Sequence, residues 1–229
     1  LSQFNREVDI FYAEAADVFK YLHETFEIKN IFSFRESGTQ ITWKRDKTIK
    51  SFCKSNQINW EESQRDGIIR GIKNRTDWNK QWHISMHQPV IYNKYSYANK
   101  KSLTHPFLLP QSLEKKLQNY PTYYQPAGEK NAWRYLQSFT EERGFNYQKH
   151  ISKPALSRKS CSRLSPFLAW GNISIKQAFQ FIGTHPNGAE NNKAFSAMLT
   201  RLHWHCHFIQ KFEVECRYEN HCVNSGYEL

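Results

Sequence analysis

"CSRLSPFLAWGNIS", Cys161 to Ser174, alternates hydroxyl side chains with an arginine and then enters an apolar stretch opened by Ser165-Pro166. Serine caps helix starts and proline suits a first turn, so a helix is expected to begin there. Free amides at such a start, with Ser162, Arg163 and Ser165 beside them, make a donor set suited to a phosphate. The surroundings carry the matching sign: from Arg143 to Lys176 there are seven Lys/Arg and no Asp or Glu. A solvated face has the same composition, and charge alone does not separate the two. Helical spacing continues on both sides. Upstream, "GEKNAWRYLQSFTEERGFNY" puts Ala132, Tyr135, Leu136 and Phe139 on one face; downstream, "NISIKQAFQFIGTH" and "NKAFSAMLTRLHWHCHFIQKFEVEC" read as two more helices. Residues 128–229 are therefore expected to be all-α.

The N-terminal part has a different rhythm. "VDIFYA" and "IKNIFSF" are short apolar runs on either side of "EAADVFKYLHETF", which has helical spacing; "TWKRDKTIKSFCKSNQ" follows as a basic helix and "INWEES" as a short strand. The alternation predicts a βαβαβ piece of a parallel sheet over residues 1–65, an α/β, Rossmann-like domain. Such sheets open on a strand carrying the first loop of the ligand crevice. Leu1–Glu7 is too short and polar for that strand, so the domain is expected to be incomplete at its start. Residues 66–127, rich in Asn, Gln, Tyr, Pro and basic residues without sustained periodicity, read as an inter-domain linker. Within it Arg70, Lys73 and Arg75 lie beside Trp78 and Trp82, as a basic aromatic surface for nucleic acid or as a strut that packs the linker down.

The balance of 32 Lys+Arg against 21 Asp+Glu, a net +11, favours polyanionic partners. No apolar run of about 18 residues is present to span a bilayer, and "LSQFNREVDIFYAEA" lacks the order of a secretion signal, so a soluble cytoplasmic protein is expected. Five cysteines without a CxxC pair argue against a disulfide framework. No GxSxG, P-loop, HExxH or GxGxxG occurs, which removes the usual evidence for hydrolases and nucleotide triphosphatases. The densest cluster is "RLHWHCHFIQKFEVEC", Arg201–Cys216. On a helix His203 and His207 stand four apart and suit a shared metal, with Cys206 on an adjacent face and Cys216 too far along. The same pattern also fits a packed helix with Leu202, Cys206 and Ile209 in the core.

"GEKNAWRYLQSFTEERGFNYQKHISKP" followed by "CSRLSPFLAWGNIS" resembles the DNA photolyase and cryptochrome family, whose flavin domain opens with a Gly-Glu helix, a tyrosine and a "TSRLSPYLxFGxIS" segment. "AFSAMLTRLHWHCHFIQKFE" is similar to the family helix "FLxELxWRxFxxxxL", and the α/β part to its antenna domain. The resemblance implies an incomplete antenna domain (1–65), a linker (66–127) and the first part of an all-α FAD-binding domain (128–229), ending before the region that completes the flavin pocket. It implies FAD, with an unspecified antenna chromophore. Tyr147 would lie on the phosphate side of the flavin nucleotide, and Cys161, Ser162, Arg163, Leu164 and Ser165 would form the phosphate loop, with Cys161 in place of the usual threonine. Arg201 and His205 count among the cofactor-binding positions, and Trp204 among the DNA-binding ones, stacking on an extruded pyrimidine dimer. Arg201 stands where dimer-repairing relatives often have Glu or Gln, and His205 where many have Arg. No catalytic residue and no metal ligand are implied. The implied function is light-driven repair of pyrimidine dimers in DNA by a deoxyribodipyrimidine photo-lyase, the 229-residue piece alone being inactive; the alternative is a cryptochrome-type blue-light photoreceptor that binds FAD without repair. The expected partner is DNA containing pyrimidine dimers, met by a monomer away from membranes.

Overall fold

The computed structural model describes residues 8–92, 103–119 and 121–228. Leu1–Glu7 and part of the expected linker, 93–102, lie outside them. The chain divides into two compact units: Leu1–Phe34, Gly38–Ser63 and Ile91–Tyr124 form one, and Arg35–Ser37, Gln64–Val90 and Gln125–Leu229 the other. Residues 66–127 are thus shared between the two units, and among the described residues they carry two helices.

In the first unit, α1 (Ala15–Phe26) precedes strand β1 (Asn30–Phe34), α2 (Gln40–Ser55) crosses over, and β2 (Asn59–Ser63) pairs with β1 in parallel, Asn30 opposite Asn59 and Phe34 opposite Ser63. Ile49, Cys53 and Ile58 make the core, closed by Phe19, Ile31 and Trp60. The strand expected over "VDIFYA" is absent. Val8, Ile10 and Tyr12 are exposed, while Phe11 turns inward onto His105 and Phe107. Tyr12 N–H donates to Phe107 O at 3.1 Å, so this run lies against residues 105–107. The sheet of the described residues is two-stranded. A further helix, α4 (Gln111–Gln118), also belongs here. A cavity of about 410 Å³ opens between the start of α1 and α2, lined in part by Glu14, Thr42, Lys44, Arg45 and Thr48.

The second unit is helical: α3 (Trp78–His87), α5 (Glu129–Ser138), α6 (Tyr147–His150), α7 (Pro154–Ser160), α8 (Ser165–Ala169), α9 (Ile175–Thr184) and α10 (Asn192–Val214). Its core runs through Trp78, Trp82, Met86, Leu136, Phe139, Phe167, Ile182 and Leu202. Trp78 is 3% and Trp82 1% exposed, so of the two readings of this stretch the packing fits the strut. The Trp82 ring lies so close to Gly67 that a Cβ there would meet it at 2.1 Å. Trp78 Nε1 donates to Gly67 O at 2.8 Å. The tryptophans are used for packing, which leaves no face to stack on a base.

Local chemistry sets the helix ends. Ser174 and Gln177 form a reciprocal capping box at the start of α9. Between α5 and α6 the chain makes a π-helical turn, Phe139–Arg143, closed by Gly144 N–H to Phe139 O at 2.9 Å. Only glycine fits after it: a Cβ at 144 would meet Phe139 O at 2.5 Å. Such turns insert one residue into a helix and re-aim the side chains that follow. The side chain re-aimed here is Arg143.

Candidate functional site

The loop between α7 and α8, Cys161–Leu164, is held from beneath by Arg143. Its guanidinium donates to the carbonyls of Cys161 and of Ser162 (3.3 Å). The same side chain donates to Tyr135 O at 2.9 Å and to Ser138 Oγ at 3.2 Å, at the C-terminal end of α5. Cations are favoured at a helix C-terminus by the partial negative charge there. Burial lowers the pKa of Arg143 from its usual value, but a guanidinium stays charged. The carbonyl of Arg163 accepts from Gln125 Nε2 at 2.9 Å. A trans peptide points its C=O and the following N–H in opposite directions. Turning the carbonyls of 161 and 162 toward Arg143 therefore turns the amides of Ser162 and Arg163 away from it.

Arg163 sits in the left-handed region, φ 62°, and its side chain is exposed. Ser162 is buried, its hydroxyl accepting from the Leu164 amide at 3.5 Å. Leu164 is 1% exposed and belongs to the core, its amide taken by Ser162 and its carbonyl by the Leu168 amide at 2.9 Å, so it serves the loop by packing. Ser165 is exposed, and here the expectation of a capping serine is corrected. It is the first residue of α8, with Leu164 at the cap position and no side-chain cap bond. The αL turn at Arg163 starts the helix one residue early, which leaves the Ser165 hydroxyl pointing outward.

Tyr147 and Arg201 come together. Tyr147 is buried, edge-on to Phe139 with centroids 5.5 Å apart, and its hydroxyl lies near the Arg201 side chain. Burial raises the tyrosine pKa, with the Arg201 charge opposing it. Arg201 also lies over the Trp204 ring, 4.5 Å from its centroid. Trp204 is 43% exposed, and Phe208, one turn on, is 61% exposed and edge-on to it. Tyr147, Arg201 and Trp204 form one connected row from α6 to the open face of α10.

His205 faces a second group. Asp66, in the left-handed region at φ 53°, has its carboxyl pKa raised by burial, opposed by Arg65, by His205 and by a hydrogen bond from the Ile175 amide. Arg65 donates to the carbonyls of Leu168 and Ala169, both at 2.9 Å. Thus Arg65 serves the C-terminal end of α8 and Asp66 the N-terminal end of α9, each with the sign its helix end favours. His205 has its pKa lowered by burial, with Asp66 opposing. Sequence reasoning missed Arg143, Arg65 and Asp66; the signal was the unpaired "RG" at 143–144 and "RDG" at 65–67.

His203 and His207 do not converge on an ion. His203 Nε2 meets Asn79 Oδ1 at 2.8 Å and its ring lies against Trp78 and Trp82; His207 lies 3.3 Å from the Arg75 guanidinium. Burial pushes the Cys206 thiol up to about 12, which keeps it protonated. Among the described residues no group of three or more His, Cys, Asp or Glu side chains is placed to hold a metal. Among them, too, no helix is long and apolar enough to cross a membrane.

No protein-family model matches the sequence, and no curated protein matches it. The arrangement is nonetheless a known one, a photolyase-type fold. It is shared with the crystal structure of a bacterial class III photolyase from Agrobacterium tumefaciens: TM-score 0.64, 15% sequence identity, covering 94% of this chain and 47% of that one. The chain spans about half the length of the structure it matches, and at this identity the likeness is one of fold.

Proposed function

We propose that this chain contributes the antenna-side domain and the first flavin-binding elements of a photolyase or cryptochrome-type protein, and that its main reading is FAD-dependent, light-driven repair of pyrimidine dimers in DNA. The observation that carries this is the Cys161–Ser165 loop. It offers outward amides at 162 and 163, the exposed Arg163 guanidinium and the Ser165 hydroxyl. A cationic, donor-rich set suits the diphosphate of a dinucleotide. Tyr147 and Arg201 lie together where α6 packs on α10. The chemistry FAD supplies when bound is light-driven transfer of one electron from its reduced ring to a dimer, which splits the two carbon bonds between the bases. The chain's own share is to hold the phosphates at Arg163 and Ser165 and to offer Trp204 as an exposed face on which an extruded base stacks.

A second reading, a blue-light sensor that binds FAD without repair, is favoured by Arg201. Its guanidinium lies near Tyr147 and over the Trp204 ring and has no acceptor to offer a base. The test uses the protein expressed with whatever its reading frame carries on either side. It is loaded with FAD, reduced and illuminated with blue light in the presence of dimer-containing DNA. Loss of dimers supports the repair reading; flavin photoreduction with dimers intact supports the sensor. A protein that purifies colourless and takes up no FAD overturns both.

A further inference from the structure

We infer that Arg143 is the positioning residue of the phosphate loop: aimed by the π-helical turn, it draws the carbonyls of Cys161 and Ser162 inward and so presents the following amides to an anion. The inference deepens the flavin reading and rests on it for what the loop binds, though not for how the loop is held.

The geometry is specific to a guanidinium. Four acceptors on two segments, Tyr135 O and Ser138 Oγ on α5 and the carbonyls of Cys161 and Ser162 in the loop, converge on one planar fork. A lysine ammonium has three donors around a single point and cannot reach both segments in this arrangement. The fork arrives here because the turn at Phe139–Arg143 takes one residue more than an α-helical turn. Gly144 is its obligatory close, since any side chain there collides with the backbone of Phe139. Arg143-Gly144 is therefore one device. The loop it holds contains the left-handed Arg163, a conformation that costs a non-glycine residue energy and persists only where its surroundings impose it. Gln125, donating to Arg163 O at 2.9 Å, completes the hold on three consecutive carbonyls. No bond is left to chance at the side of the loop that faces the protein, and the other side is left to the ligand.

Arg143→Lys keeps the charge and removes the fork. Hydrogen exchange of the Cys161 and Leu164 amides, bonded to Ser157 O and to the Ser162 hydroxyl, reads the loop directly and needs no flavin. The variant is expected to exchange there at least tenfold faster, with exchange in α9 and α10 unchanged. Equal protection of the loop in the two proteins would overturn the inference. Titration with FAD and with riboflavin, which lacks the diphosphate, reads the purpose: FAD affinity should fall about tenfold or more while riboflavin affinity holds. Equal loss for both ligands would mean a merely structural role and would also overturn it. If the parent protein binds neither ligand, the flavin reading fails, and the exchange result still decides whether Arg143 sets the loop. Should Arg143→Lys melt well below the parent, Arg143→Gln, which keeps two donors, is put through the same comparison and the same outcomes apply.

Discussion

Two residues of the loop set stability and binding against each other. Arg163 holds a left-handed backbone that glycine adopts without strain. Arg163→Gly is expected to stabilise the protein by about 1 kcal/mol, the lower end of what such a conformation costs. The same change removes the exposed guanidinium, and FAD affinity should fall by roughly 1.5–3 kcal/mol, the worth of a charge-assisted hydrogen bond. Denaturant melts and flavin titrations of the two proteins check both signs; a variant that loses stability shows that the arginine is packed in a way its exposure does not reveal. Cys161→Thr touches the loop differently. Its carbonyl is what Arg143 grips, and that survives the change. Flavin retention should be unaltered or slightly better, because a hydroxyl replaces a weak sulfur donor. A marked loss of flavin would mean that the side chain at 161 is fitted to its neighbours by size.

At the scale of elements, α10 is tied to the segment ahead of α3 by a buried amide as well as by the Arg70–Glu213 ion pair. Gln210, fully buried, accepts from Ile69 N–H at 2.7 Å and donates to Ile69 O at 2.9 Å, closing a reciprocal pair like one rung of a β-ladder. Gln210→Leu fills similar space but strands both groups of Ile69, at about 2–4 kcal/mol given the usual cost of an unpaired buried polar group. Ser174→Ala, which removes half of the capping box, should cost about 1 kcal/mol. The ranking of the two in urea unfolding is the check. These cases also mark what was legible. The helices α9 and α10 were visible because their periodicity is local. The same holds for β1 and β2, each a short run of five residues beside a helical pattern. The π-helical turn was not, since a single inserted residue changes no composition and breaks the spacing only once. The role of residues 64–90 was hidden for another reason: Ile69 and Gln210 are 141 positions apart, and nothing around either names the other. Of the site, the loop and Trp204 were readable as residues, whereas the hold on the loop depends on Arg143 reaching 18 positions along the chain.

Across the whole molecule the excess of cations, +11, sets how the protein responds to acid, because protons arriving on histidines add to a charge that is already unbalanced. Three histidines of α10 are held below their usual pKa of 6.5. Burial is the leading cause for each, joined by His83 and His207 at His203, by Arg65 at His205, and by Arg75 and Lys211 at His207. A group whose folded pKa is depressed takes up its proton more readily when unfolded. Below about 6.5 the unfolded chain therefore binds more protons, and stability falls as pH drops toward the folded values. Asp66 acts the other way: its pKa is raised above 3.8, so the folded protein binds the extra proton and regains stability as pH falls through the raised value. Unfolding free energy should be flat from pH 8 to 7 and decline below about 6.5. His203→Gln, which retains an amide to meet Asn79 Oδ1 between Trp78 and Trp82, should decline less steeply than the parent over pH 7 to 5.5. Urea melts at half-unit steps give the two slopes, and identical slopes would remove His203 from the acid response.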